Sequence, residues 1–217
     1  MTRPEISIVI PTFDRPERLR RALEGTLRHH DGVAIEVVVV DDGSADEVGV
    51  AAAVASVASG SGIPVALVRQ ANQGPTAARN AGATAAVGPV VLFLDDDCVP
   101  NPGCIGIHRD VHATAAKLGE RLAVLGHARW NPDLPVTPLM HVAMRGAQFD
   151  YDGIADPNDV PFTRFYTACA SVPRDQFLAM GGFDTTLPRY AAGEDTEFAW
   201  RWVQGGGRIA YRADAVV

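Results

Sequence analysis

Three consecutive carboxylates, Asp95, Asp96 and Asp97, stand directly behind the apolar run Val90 to Leu94. Adjacent acids repel one another unless a cation or hydrogen-bond donors compensate. Their hard oxygens suit Mg2+ or Mn2+ better than zinc. In extended backbone Asp95 and Asp97 point to one side and Asp96 to the other. One pair can therefore hold a metal or a sugar hydroxyl while the middle acid does another job. A single acid here would need no more explanation than a helix cap; three together point to a bound cation.

Other residues of chemical interest sit at comparable places. Asp41 and Asp42 close a second apolar run, just before Gly43-Ser44. Arg79 and Asn80 fall about one turn into the segment that starts at Gly74-Pro75, among small residues that would let a helix pack closely on a sheet. An Ala-rich packing helix with a surface arginine is the plainer alternative. Glu194, Asp195 and Glu197, in the stretch Ala192 to Glu197, open another helix. The helix dipole alone would favour them there, by up to ~1 kcal/mol. Equally, one could be a general base, worth roughly 10²–10⁴-fold in rate. Spacing leaves both open. Gly181-Gly182-Phe183-Asp184 suits a helix end and turn, and Trp200 and Trp202 suit either core or an acceptor surface. The six histidines show no ligand-like pairing.

Strands and helices must position these groups. Ile6 to Ile10 has the β-branched, apolar character of a buried strand, ended by Pro11. A helix follows, with Asp14 placed to cap it, Pro16 in its first turn, and Leu19, Leu23 and Leu27 on one stripe. Further strands are expected at 35–40, 65–68 and 90–94, with helices over 46–59 and 75–86 between them. Such alternation predicts βαβ units and a parallel sheet. Ligands of open sheets bind beyond the carboxyl ends of the strands. Pro11-Thr12, Asp41-Asp42 and Asp95–Asp97 all fall at such ends. Beyond Pro100 the alternation weakens. Strands are expected within 120–130 and 163–172, helices over 173–180 and 194–204, and loops with one helix over 131–159.

The 217 residues are 47% hydrophobic and 21% charged, which is a globular composition. A net charge of −7 argues against a nucleic-acid binder, which normally carries a basic field. Cys98, Cys104 and Cys169 are odd in number and lack C-x-x-C spacing, so a reducing compartment fits better than a disulfide framework or a zinc site. Pro11 and Asp14 come too early for a signal peptide, and no apolar run approaches the ~20 residues of a membrane span. A cytoplasmic location is expected, compatible with peripheral contact at the inner face of a membrane.

SIVIPTFDR, VVVVDDGSAD, NQGPTAARNAG, VLFLDDDCVP, GGFD and GEDTEFAWR together resemble, in order, the motifs of family 2 glycosyltransferases. The likeness runs from Ile6 to about Arg212. It implies an α/β, Rossmann-like GT-A fold with a mostly parallel sheet and a smaller mixed acceptor-side region. Residues 1–100 would form the nucleotide-sugar half and 101–217 the acceptor and catalytic half of one domain. The activity implied is inverting transfer from a nucleotide-sugar donor, UDP-sugar favoured, to a saccharide or lipid-linked acceptor. By the same resemblance, Pro11 and Thr12 form the first nucleotide-contacting loop. Asp42 meets the base edge with Asp41 in support, and Arg79 and Asn80 face the nucleotide. Asp97 would be the chief ligand of Mn2+ or Mg2+, with Asp95 as a second, and Asp95 or Asp96 would contact ribose or sugar. Asp195 matches the catalytic base, with Glu194 beside it. Relatives often add a metal-ligating histidine just beyond a segment like Tyr211 to Val217, where this sequence stops.

Two rival enzyme classes lack their signatures. A nucleotidyltransferase would carry a Gly-rich basic loop after the first strand, and a dinucleotide-dependent dehydrogenase would carry G-x-G-x-x-G there. Pro11 to Arg15 has neither. A nucleotide-sugar-binding domain without turnover is the remaining alternative.

Overall fold

A computed structural model describes residues 3–131, 134–147, 149–187 and 193–217. Ala192, at the head of the acidic motif, lies outside these residues, as do Met1, Thr2, Pro132, Asp133 and Gln148.

Seven strands form one sheet: β1 (Ile6–Thr12), β2 (Ile35–Asp41), β3 (Val65–Arg69), β4 (Val90–Leu94), β5 (Leu122–His127), β6 (Cys169–Pro173) and β7 (Arg208–Val216). Their order is β3-β2-β1-β4-β6-β5-β7. All neighbouring pairs are parallel except those of β6, which runs antiparallel to β4 and β5. The sheet is continuous from the first half of the sequence into the second. This is the mostly parallel α/β architecture expected of the GT-A fold.

Alternation along β1 divides the core. Ile6, Ile8 and Ile10 face one layer with Leu19 and Leu23 of α1 (Pro16–Arg28), Val50 and Val54 of α2 (Glu47–Ala58), and Cys104 and Ile105 of α4 (Cys104–Leu118). Val9 faces the other, with Ala78 and Ala83 of α3 (Pro75–Ala85), Phe177 of α6 (Arg174–Ala179), and Phe198 and Trp202 of α7 (Glu194–Gln204). A Cβ built on Gly82 would overlap Val9, so the small residues of α3 do allow it to lie close on the sheet. A short helix, α5 (Pro138–Val142), occupies the loop-rich stretch.

Three expectations need correction. Pro11 does not end β1. Asp42 N–H donates to the Thr12 carbonyl at 2.9 Å, so Thr12 faces β2 and Pro11 faces the β4 side, where pairing has already stopped at Val9. The missing N–H therefore costs no ladder bond. Asp14 does not cap α1. Its carboxylate accepts from Ala45 N–H at 2.7 Å, tying the loop after β1 to the loop after β2. The third correction is α4, a 15-residue helix where the alternation seemed to fade. Its buried face is Cys104, Ile105, His108, His112 and Ala115, so two histidines interrupt the apolar stripe that would have announced it.

Candidate functional site

The carboxyl ends of parallel strands β1, β2 and β4 open on one cleft of about 590 Å³. Pro11, Thr12, Asp42, Arg79 and Asp95 to Asp97 line it, with Phe13 and Arg15 from the first loop.

The three aspartates leave β4 in a turn closed by Cys98 N–H to the Asp95 carbonyl at 3.0 Å. Each then meets a different partner. Asp96 is turned inward: its side chain is 6% exposed and accepts from the Thr12 hydroxyl at 2.8 Å and from Arg15 at 3.3 Å. Burial pushes its carboxyl above the usual range, against the pull of Thr12 and Arg15. Asp97 is 46% exposed and faces Arg18 at 3.1 Å. Asp95 pairs with Arg79 at 2.8 Å. Oxygens of Asp95 and Asp97 and the Cys98 sulfur lie within 4.8 Å of one another.

Asp42 is buried and accepts from Gln70 Nε2 at 2.7 Å, Gln73 N–H at 2.9 Å and Gly74 N–H at 2.8 Å. It thereby binds the loop leading into α3 to the end of β2. Asp41 lies behind it, wholly buried, accepting from Ser44 N–H at 2.9 Å and facing Arg69 at 3.4 Å. Gly43, at φ +83°, sits against Asn72 where no side chain fits.

Arg79 joins the two acidic regions. Its Nη2 meets Asp95, and its Nη1 lies 3.6 Å from Glu194. Asp195 also contributes to holding this buried guanidinium charged. Asp195 itself is fixed by Thr167, whose N–H and hydroxyl both donate to Oδ2, at 2.9 and 3.1 Å. Its Oδ1 is buried and has no hydrogen-bond partner among the described residues. Burial raises the Asp195 carboxyl to about 6, although Arg79 and Thr167 pull the other way.

Asn80, one residue on, turns elsewhere. Its side chain donates to the Phe183 carbonyl at 2.8 Å and accepts from Phe183 N–H at 2.9 Å. It is bonded to the Gly181–Asp184 turn and, like Asp41, Glu194 and Asp195, is not among the residues lining the cleft. Phe183 is buried between Phe93, Phe177 and Phe198, so this turn anchors core. Trp202 is likewise core, while Trp200 is half exposed.

The sequence profile described as Glycosyl transferase family 2 matches residues 7–115, half of the chain. The chain belongs to this family. Among curated relatives, the pre-mycofactocin glycosyltransferase of Mycobacterium tuberculosis (strain H37Rv) is 29% identical over 98% of this chain and 42% of its own length. The validoxylamine A glucosyltransferase of Streptomyces hygroscopicus subsp. jinggangensis is 28% identical over 91% of this chain and 51% of its own. The chain thus spans about half the length of these relatives. Two solved structures share the fold. The mannosyltransferase PcManGT from Pyrobaculum calidifontis, in complex with GDP-Man and Mn2+, has a TM-score of 0.71 at 22% identity, covering 100% of this chain and 56% of that one. S. aureus TarS 1–349, in complex with UDP-GlcNAc, has a TM-score of 0.68 at 17% identity, covering 97% and 56%.

For a family 2 glycosyltransferase the donor set of this cleft is chemically apt. Asp95 and Asp97 bring hard oxygens close enough to share one divalent cation. Burial and the neighbouring aspartates hold the Cys98 thiol well above the ordinary range. Thr167, Arg15 and Arg18 were not singled out from sequence. The two arginines belong to the loop and helix after β1, and their partners Asp96 and Asp97 lie about 80 residues away. Thr167 reaches Asp195 across 28 positions, a contact with no local signal.

Proposed function

We propose that this chain carries the donor site and catalytic base of an inverting glycosyltransferase. The donor is a nucleotide diphosphate sugar, with a UDP-sugar the first candidate, and the acceptor a hydroxyl of a saccharide or lipid-linked saccharide. Residues 1–100 supply the donor half and 101–217 the acceptor half. The observation that carries this reading is Asp195: a half-buried carboxylate beside the cleft-lining Arg79, clamped at one oxygen by Thr167, with its other oxygen unpartnered among the described residues.

The chemistry follows from that arrangement. A carboxyl with a pKa near 6 is a stronger base than an ordinary one, yet remains ionised at neutral pH. Asp195 takes the proton of the acceptor hydroxyl, whose oxygen then attacks the anomeric carbon opposite the departing diphosphate. One such displacement inverts the anomeric centre. Thr167 keeps the carboxylate from rotating. Arg79 lines the cleft and pairs with Asp95 and Glu194, so the donor and base sides meet through one guanidinium. Asp95 and Asp97 would hold Mn2+ or Mg2+, which neutralises the charge developing on the leaving diphosphate when bound.

Calorimetric titration of UDP, GDP and dTDP, with and without Mn2+, tests the donor site. Metal-dependent binding of one nucleotide supports it and selects the donor class; no binding to the folded chain overturns it. Donor turnover with inverted product that vanishes in Asp195→Asn supports the base assignment. Binding without nucleotide release would instead favour the domain that binds but does not transfer.

A further inference from the structure

On the far side of β4 from α3, the first turns of α4 meet β6 around a second group of metal-ligating side chains. Cys104 and Cys169 place their sulfurs 3.9 Å apart, and His108 Nε2 lies 3.4 Å from the Cys169 sulfur. All three are buried, and their ligand atoms lie within 4.8 Å of one another. A zinc ion bound at about 2.3 Å to sulfur and about 2.0–2.1 Å to nitrogen in a tetrahedron spaces its ligands by about 3.8 Å (S to S) and about 3.5 Å (S to N). The two separations at Cys169 match two edges of that tetrahedron, and the third, from Cys104 to His108, is within 4.8 Å.

The surroundings orient the imidazole for the same purpose. His108 Nδ1 lies 2.7 Å from the Ser171 hydroxyl, and His112 Nε2 lies 2.8 Å from the same oxygen. Burial lowers His112 to about 3, so it is neutral. A hydroxyl has one proton to give. If Ser171 donates it to His112 Nε2, its oxygen accepts from His108 Nδ1–H, and the His108 Nε2 lone pair is directed at the two sulfurs. Outer hydrogen bonds of this kind fix the tautomer of metal-bound histidines.

We infer that Cys104, His108 and Cys169 form a buried Cys2His site for a soft cation of the zinc and copper(I) class, separate from the acidic cleft. Each thiol releases its proton to solvent on loading. The site joins α4 to β6 two residues beyond Thr167, so the ion braces the strand that follows the turn from which Asp195 is held. Because the ligands are enclosed, the ion enters as the chain folds and exchanges slowly afterwards.

The test uses the Asp97→Ala chain, to remove the competing cleft. It is unfolded with reductant and chelator, refolded anaerobically with Co2+, Zn2+ or Cu+, and then exposed to excess chelator. One retained ion per chain is expected. Co2+ should show a thiolate charge-transfer band that is lost in Cys104→Ser and in Cys169→Ser, and the loaded chain should melt several degrees higher. Retention of Cu+ alone would support the site and assign it to copper(I). No retained ion in a chain with native circular dichroism overturns the inference, as does retention undiminished in the Cys104→Ser/Cys169→Ser double variant. Should refolding fail, native mass spectrometry of the chain expressed in zinc- or copper-supplemented medium decides: one bound ion supports the site, and a metal-free chain overturns it.

Discussion

Thr167 gives two hydrogen bonds to a single oxygen of Asp195 and none to the other, which is buried with no partner among the described residues. One oxygen is held still, while the second, though enclosed, has no hydrogen bond to give up before it takes a proton. The free oxygen has a cost, because a buried acceptor left unpaired is unfavourable by about 1–3 kcal/mol. Enzymes keep such groups where chemistry uses them.

The first expectation concerns pH. Asp195 must be ionised to act, and its carboxyl is raised to about 6 by burial. Turnover should therefore fall about tenfold per unit below pH 6 and level off above it. Thr167→Val removes the hydroxyl donor, which favours the ionised form, so the acid limb should move to higher pH. A profile of kcat/KM against pH for both proteins checks this. An acid limb unmoved in the variant would detach Thr167 from the base.

Stability should respond in the opposite sense to activity. The folded-state carboxyl of Asp195 titrates above its unfolded value, so its contribution to stability is fully present below about pH 4 and is lost as pH rises through 6. Two units correspond to on the order of 3 kcal/mol. Asp195→Asn resembles the protonated form at every pH. It should lower turnover by roughly 10²–10⁴-fold, yet resist urea better than the parent at pH 8. The advantage should shrink towards pH 4. A variant less stable than the parent at pH 8 would mean that the attraction of Arg79 and the hydrogen bonds of Thr167 outweigh the burial of the charge.

How far the sequence carried the argument depended on whether a feature was local. β4 and α7 fall at the expected residues because an unbroken apolar run and an acidic first turn are signals within a single element. The histidines of α4 look polar in sequence, and only the fold shows that they are packed against Ser171 of β6. The same limit applies at the site. The extended backbone expected at Asp95 to Asp97 is instead a turn, in which oxygens of the first and third acids lie within 4.8 Å of one another. Nothing local to Asn80 revealed that its partner is Phe183, 103 residues away.

Asn80 accordingly makes a prediction that separates structure from binding. Its two bonds to the Phe183 backbone contribute about 1 kcal/mol each, so Asn80→Ala should lower stability by about 2 kcal/mol, or roughly 4–8 °C in Tm. Gly182→Ala attacks the same junction from the other side. Gly182 has φ +70°, and a Cβ there would overlap the Asn80 amide, which implies a loss of about 1–3 kcal/mol. Nucleotide affinity below the melting range should change less than twofold in both. Calorimetric Kd values that weaken by tenfold in Asn80→Ala at unchanged Tm would restore a direct nucleotide contact.

The acidic turn gives the last prediction. Asp95, Asp96 and Asp97 are adjacent, but their partners divide them: Arg79 for the first, Thr12 and Arg15 for the second, Arg18 for the third. Asp96 is internal, and replacing it with alanine would leave the buried Thr12 hydroxyl unpaired, so Asp96→Ala should destabilise the chain. Asp97 is the most open of the three, with only exposed arginine partners, and surface pairs of that kind contribute about 0–1 kcal/mol. Asp97→Ala should therefore leave Tm nearly unchanged while weakening Mn2+-dependent nucleotide binding by about tenfold or more, a loss of at least 1.4 kcal/mol. Binding without Mn2+ should be unaffected or slightly stronger, since Arg15 and Arg18 are then released towards the diphosphate. Titrations with and without Mn2+, beside melting curves of Asp96→Ala and Asp97→Ala, measure all of this. Equal loss of nucleotide affinity with and without Mn2+ in Asp97→Ala would show that this carboxylate shapes the cleft and does not hold the cation.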